Sequence, residues 1–258
     1  MIYHANRAQD NYGEVIGILL LDFKAPFIPG DVGNASTYDY PVRYKLVEGL
    51  TFDRLFNKDQ TALEIIIEAA KDLEKSGVRA ITADCGFFAL FQKEVAEAVN
   101  IPVFLSSLLQ APFISSIIAR DKKVGIISAK SDSLDDDSFL DSVNIDRERV
   151  VIRGMENKEN FYKFGVLEEG YLDTEKIEKE VLEVSEKMIE ENPEIGAVLL
   201  ECSMLPPYAK SVHQSLSLPV FDFITMIDFV KSALVKKEYQ GVSTPTNPPP
   251  KITTFSPI

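Results

Sequence analysis

The chain has 258 residues, 45% apolar and 26% charged, an ordinary globular composition with length for one large or two small domains. Its formal charge of −13 speaks against a nucleic-acid or anionic-membrane surface, so no nucleic-acid or membrane partner is expected, and an anionic substrate would need local positive potential. No apolar run is long enough to span a membrane, Met1 to Glu14 has no signal-peptide core, and two cysteines are too few for a disulfide scaffold, so a reduced, cytoplasmic setting is expected.

Val15 to Leu21 is a continuous apolar run ending at Asp22, the pattern of a buried parallel strand. Asp22 to Tyr44 then forms a long loop with Pro26, Pro29, Gly30, Asp31, Gly33 and Asn34. Loops of this length are often functional. It reads either as a substrate-covering loop, offering Asp22, Asn34, Ser36 and Thr37, or as a surface excursion held by turn chemistry. Tyr44 to Phe52 is ambiguous between strand and helix. Ala62, Ile65, Ile66, Ala69, Ala70 and Leu73 share one helical face, and Ser76-Gly77 ends that helix. A strand follows from Val78 to Ala83.

Gly86 to Val99 is predicted helical, Ile101 to Leu105 a strand, and Leu108 to Arg120 a helix with Pro112 near its first turn. Val124 to Ser128 is another strand, with Asp132 to Asp141 helical and Val150 to Ile152 a strand. Asn157 to Gly170 reads as irregular. Asp173 opens a long charged helix that stops near Asn192-Pro193. Ile195 to Leu200 is a strand, Pro206-Pro207 suits the start of a helix, Leu218 to Phe223 is a strand, and Met226 to Lys237 the last helix. The Pro- and Thr-rich tail over 241–258 has no regular pattern.

One stretch occurs twice. Val78-Arg79-Ala80-Ile81-Thr82-Ala83-Asp84-Cys85, followed by Ile101-Pro102-Val103-Phe104, matches Ile195-Gly196-Ala197-Val198-Leu199-Leu200-Glu201-Cys202, followed by Leu218-Pro219-Val220-Phe221. The offset is constant, since 202 − 85 and 219 − 102 both equal 117. A weaker match relates Gly17 to Gly125 at an offset of 108. Strands alternating with helices predict parallel sheets, and the duplication predicts two of them about a pseudo-twofold axis. The expected fold is α/β with two similar lobes, each a mostly parallel sheet flanked by helices. Lobe one comprises 1–112 and 219–240, and lobe two 113–218.

Ligands in such sheets bind beyond the carboxyl ends of the strands, where Asp22, Cys85, Ser106, Ser128 and Cys202 fall. Two thiols at equivalent strand ends would face one pocket. One as thiolate could remove a proton from carbon while the other delivers one to the opposite face, with no cofactor. A free thiol titrates at roughly 8.5, and a helix start after each Cys would lower that value. The same N–H groups, at Gly86, Phe87 and Ser203, could hold a carboxylate or a developing enolate oxygen. Taken singly, a strand-end Cys is more often a small buried hydrophobe. Asp84 and Glu201 read either as strand-end caps or ion-pair partners of Lys93 and Lys210, or as supports beside the site. His213 reads as a structural or surface histidine, and with His4 and two cysteines far apart no metal-ligand spacing exists.

Paired strand-end cysteines, each followed by a helix and a strand opening in Ile/Leu-Pro-Val, resemble the cofactor-independent aspartate/glutamate/hydantoin racemase superfamily, from about Val15 to Lys237. The resemblance implies two α/β lobes around an interlobe site, no pyridoxal phosphate or metal, and Cys85 and Cys202 as the acid/base pair. In the amino-acid racemases the first Cys is usually followed by Asn and a hydroxyl residue, where this chain has Gly86 and Phe87. The second is usually preceded by Gly and followed by Thr and a titratable residue, where it has Glu201, Ser203 and Met204. These departures resemble a divergent branch. The expected function is a racemase or epimerase inverting a carbon acidified by a carboxylate or ring carbonyl, on a small carboxylate or cyclic amide, in a homo-oligomer. The alternatives are a single-cysteine decarboxylase or cis-trans isomerase of small diacids, and a ligand-binding protein that has lost activity.

Overall fold

A computed structural model of the chain describes residues 2, 4, 9, 12–57, 59–134, 136–239 and 241, so the tail beyond 241 lies outside the described residues. Among the described residues, seven strands form two parallel sheets. The first contains β1 (Ile16–Leu20), β2 (Val42–Leu46) and β3 (Ala80–Ala83) in the order β2-β1-β3, and a parallel bridge from Ile81 to Val103 adds a fourth position beside β3. The second contains β4 (Lys123–Ser128), β5 (Val150–Gly154), β6 (Ile195–Leu200) and β7 (Val220–Phe221) in the order β5-β4-β6-β7. The central strands β1, β3, β4 and β6 are almost wholly buried, as apolar runs covered on both faces must be.

The two sheets repeat one another bond for bond. Gly17 lies opposite Ile81, and Gly125 opposite Val198. Ile81 N–H donates to the Pro102 carbonyl and Val198 N–H to the Pro219 carbonyl, each at 2.9 Å. Asp84 N–H donates to Leu19 at 3.0 Å, and Glu201 N–H to Ile127 at 2.8 Å. Every pair keeps the offsets of 108 and 117, so the duplication reaches the first strand of each half.

The glycines mark where a long helix crosses each central strand. A Cβ on Gly17 would lie 3.0 Å from Leu73 Cδ1 of helix Ala62–Ser76, and one on Gly125 would lie 2.6 Å from Met188 Cε of helix Thr174–Glu191. The first helix ends at Gly77, whose φ of +98° suits only glycine without strain. The second starts at Asp173, whose carboxylate accepts from Lys176 N–H at 3.2 Å.

Several expected elements differ. Gly86–Phe91 is a 3-10 helix, and the α-helix starts only at Gln92 and ends at Ala98. The segment expected as a strand over Ile101 to Leu105 makes a single bridge. Val42–Leu46 is a strand, and Glu159–Gly165, expected to be irregular, is a helix whose N-terminal N–H groups are capped by the distant Glu180 carboxylate. That cap lies on another helix, so no local signal announces it. The strand expected over Leu218 to Phe223 is only Val220–Phe221, because Asp222 opens a capping box with Thr225 and starts helix Phe223–Leu234.

β7 pairs with β6, whereas Phe223, Met226 and Ile227 share an apolar cluster with Ile16, Ile18 and Ala80 of the first sheet. Among the described residues no helix is long and apolar enough to cross a membrane.

Replacing Gly17 or Gly125 by Val should overfill these crossings and lower stability by about 1–3 kcal/mol, read as a fall in the midpoint of urea unfolding at unchanged slope.

Candidate active site

The two central strand ends deliver matched dipeptides, Asp84-Cys85 from β3 and Glu201-Cys202 from β6, to one pocket. Both thiols line it, and Cys202 is close enough to perturb the ionisation of Cys85. The void beside them is about 20 Å³, room for little more than one water.

The helix starts do not lower the thiol pKa values as expected. Burial pushes both well above the ordinary value, and the Glu201 carboxylate adds to the effect on each. The N–H groups of Phe87 and Met204 pull the other way, and burial outweighs them. The local structure accounts for the weak dipole: Cys85 is followed by a 3-10 turn, and Cys202 by a bend leading to a short 3-10 turn at Pro206–Tyr208.

Carboxyl groups crowd these thiols. Asp84 accepts from Leu21 N–H at 2.9 Å, and burial raises its pKa to about 7. Asp31 accepts from Gly33 N–H at 2.7 Å, and burial, with a smaller contribution from Asp84, raises it to about 8. Glu201 Oε2 accepts from the Ser128 hydroxyl at 2.8 Å, while Oε1 has no partner among the described residues. Burial raises Glu201 to about 7. Neither Asp84 nor Glu201 pairs with Lys93 or Lys210, and among the described residues no lysine, arginine or histidine lines the pocket.

Aromatic rings close the other side. Phe23 and Phe27 come from the loop after β1, Phe52 from helix Phe52–Phe56 and Phe87 from the turn after Cys85. The Phe23 ring lies 6.4 Å from Phe27, nearly parallel to it, and 5.9 Å from Phe52.

Of the residues expected to bind substrate, Gly86, Phe87 and Ser203 line the pocket. Gly86 leaves space that Glu201 Oε1 fills, and a Cβ there would force the Glu201 carboxyl to move. Ser203 donates its hydroxyl to the Asp84 carbonyl, joining the two cysteine segments. Ser128 reaches the site only through Glu201. The rest hold the loop. Thr37 bridges Gly30 N–H and the Asp31 carbonyl, Asn34 spans Ser36 and Phe27, and Asp22 accepts from Gly49 N–H.

The loop does cover the site, through other residues. Gly30, at φ +101°, lies against Pro207, and Val32 N–H donates to the Ser203 carbonyl at 3.4 Å. The Val32 carbonyl accepts both the Tyr38 and Tyr44 hydroxyls at 3.1 Å. His213 lies on the surface with Nδ1 2.7 Å from the Leu218 carbonyl. Among the described residues no group of three or more His, Cys, Asp and Glu is arranged to hold a metal ion.

Asp31, Asp84 and Glu201 each hold a proton more tightly folded than unfolded. Their contribution to stability is complete below about pH 4 and is lost as pH rises through about 7 to 8. The thermal midpoint should therefore fall between about pH 5 and pH 8.5, and the Asp31→Asn variant should show a shallower fall in calorimetry.

Several solved structures share the fold. A glutamate racemase isoform from Bacillus anthracis superposes with a TM-score of 0.58 at 15% identity, covering 86% of this chain and 81% of that one. Allantoin racemase from Pseudomonas fluorescens gives 0.60 at 11% identity, covering 85% and 90%. Unliganded arylmalonate decarboxylase gives 0.53 at 16% identity, covering 85% and 92%. The racemase-superfamily fold expected from the cysteine pattern is therefore the fold observed. No family model matches the chain.

Sequence relatives point to a different reaction class. Dimethylsulfoniopropionate lyase from Durusdinium sp. clade D is 36% identical over 236 residues, covering 88% of this chain and 77% of that protein. Dimethylsulfoniopropionate lyase 3 from Emiliania huxleyi is 31% identical over 238 residues, covering 88% of this chain and 62% of the relative's length. These relatives overturn the expected racemase or epimerase function and the isomerase class with it. The physical reason is that a fold does not fix a reaction, which is set by the site built on it. Despite its racemase-like architecture, the chain belongs to the dimethylsulfoniopropionate lyase family.

Proposed function

We propose that this chain is a carbon–sulfur lyase acting on dimethylsulfoniopropionate, with Cys85 and Cys202 supplying the base. The substrate has a dimethylsulfonium group on the carbon β to a carboxylate. A thiolate removes a proton from the α carbon, those electrons form a carbon–carbon double bond, and the β carbon–sulfur bond breaks with its electron pair going to sulfur. Dimethyl sulfide and acrylate leave, and the proton remains on the thiol until the site releases it. Elimination asks for one base on one face, where inversion would need a second group opposite. Sulfur leaves as a neutral thioether, so no acid need protonate it.

The observation that carries this reading is the lining of the pocket: aromatic faces and carboxyls, with no basic side chain among the described residues. That lining suits a cation. A sulfonium held against Phe23, Phe27 or Phe52 gains from the ring faces, about 0.5–2 kcal/mol for such contacts, and carboxylates nearby favour it further. The substrate's own carboxylate is then held by backbone N–H groups of the turns after the cysteines, at Gly86 and Ser203. As its α proton leaves, charge builds on that carboxylate, where such donors act most strongly.

Incubation with dimethylsulfoniopropionate should release dimethyl sulfide, detected in the headspace by gas chromatography, with one acrylate per sulfide by proton NMR. Cys85→Ala and Cys202→Ala should each lower kcat by about 10²- to 10⁴-fold without changing the circular dichroism spectrum. Phe27→Leu should act mainly on KM, raising it by several-fold to about tenfold. A chain that binds the sulfonium but releases neither product would overturn the reading.

A further inference from the structure

The elimination leaves one buried group without a role. Glu201 is 1% exposed. Ser128 anchors Oε2, and Oε1 is turned to the backbone immediately after Cys85, into space left by the missing side chain of Gly86. Glu201 also directly precedes Cys202 in the chain, and its charge perturbs both thiols. An unpartnered carboxylate oxygen in a dry site is costly unless a proton or a cation regularly occupies it.

We propose that Glu201 is the positioning residue that makes a thiolate available: its carboxyl, which lines the same pocket as Cys85 and Cys202 and bonds neither sulfur at rest, turns Oε1 to take up a thiol proton, so that one negative charge is shared between the carboxylate and the cysteine pair. In this step the S–H bond breaks, its electron pair stays on sulfur, and an O–H bond forms on Glu201. The net charge of the pocket is unchanged.

That conservation is the physical advantage. Ionising a thiol to solvent while Glu201 stays charged puts two negative charges into one buried pocket, and each opposes the other. Internal transfer leaves one charge and moves it to the atom that attacks carbon. The carboxyl and the thiols then titrate as a unit, whose first ionisation belongs to the set rather than to one residue. Above that ionisation the thiolate fraction is constant over a range of pH, since moving the proton within the set neither takes up nor releases one.

The proposal rests on the lyase reading for its function, but its test has an independent readout. Iodoacetamide alkylation of Cys85 and of Cys202 is followed separately by peptide mass spectrometry from about pH 6 to 9.5, beside dimethyl sulfide release. In the wild type, alkylation of at least one cysteine should rise to about pH 7–7.5 and then level off. In Glu201→Gln it should climb about tenfold per pH unit throughout, as for a thiol ionising alone. The pH profile of kcat should change in the same way, with Glu201→Asp intermediate.

Should Glu201→Gln fail to fold, Ser128→Ala removes the donor to Oε2 and should move the wild-type inflection to higher pH. Identical log-linear alkylation profiles in the wild type and Glu201→Gln, or an inflection that Ser128→Ala does not move, would overturn the proposal even if sulfide is released. A plateau that is lost in Glu201→Gln, in a chain that releases no sulfide, would leave the proposal standing and remove the lyase reading instead.

Discussion

The constraint on which the site depends is the burial of acidic groups without cations. Two carboxyls and two thiols line the pocket at the carboxyl ends of β3 and β6, Asp31 from the loop after β1 adds a third carboxyl close enough to perturb Cys202, and among the described residues no basic side chain lines the pocket. In a low-dielectric setting such groups cannot all be charged. They hold protons to higher pH, which leaves the empty pocket near neutrality and able to take up a cation. The aromatic wall complements this, because ring faces attract positive charge without needing a counter-charge of their own.

The duplicated architecture explains the pairing of the thiols. Repetition from Gly17 to Gly125 and from Cys85 to Cys202 brings two similar strand ends to one pocket. Symmetry of position does not impose symmetry of use. After Cys85 comes Gly86, which admits Glu201. After Cys202 comes Ser203, which ties back to Asp84. The two halves therefore present different surroundings to their sulfurs.

Much of the framework could be read from residues alone. The offset of 117 revealed the repeat, the apolar runs marked the central strands, and the cysteines with Gly86, Phe87 and Ser203 do line the pocket. Where reading failed, the deciding contact was distant in sequence. The cap of helix Glu159–Gly165 comes from Glu180, and the loop hydroxyls of Ser36 and Thr37 are consumed by neighbours within the loop. Phe23, Phe27 and Phe52 look like ordinary apolar residues until the fold assembles them. Asp31 carries no signal for burial, since its surroundings of Pro, Gly and Asn suggest a solvated turn. The reaction class was illegible for a chemical reason: removing a proton next to a carboxylate is a step that inversion and elimination share, and the outcome is set by the leaving group the substrate brings.

The loop after β1 has a mechanical consequence. Val32 fastens it to β2 through the Tyr44 hydroxyl, with Tyr38 closing a further bond inside the loop, and to the segment after Cys202 through Ser203, while Lys24 N–H reaches Glu168 at 2.8 Å. Phe23 and Phe27 ride on this same strap. Any separation of the lobes must either break those stitches or peel the rings away from the thiols, so admission of a guest and dismantling of its aromatic seat are a single movement.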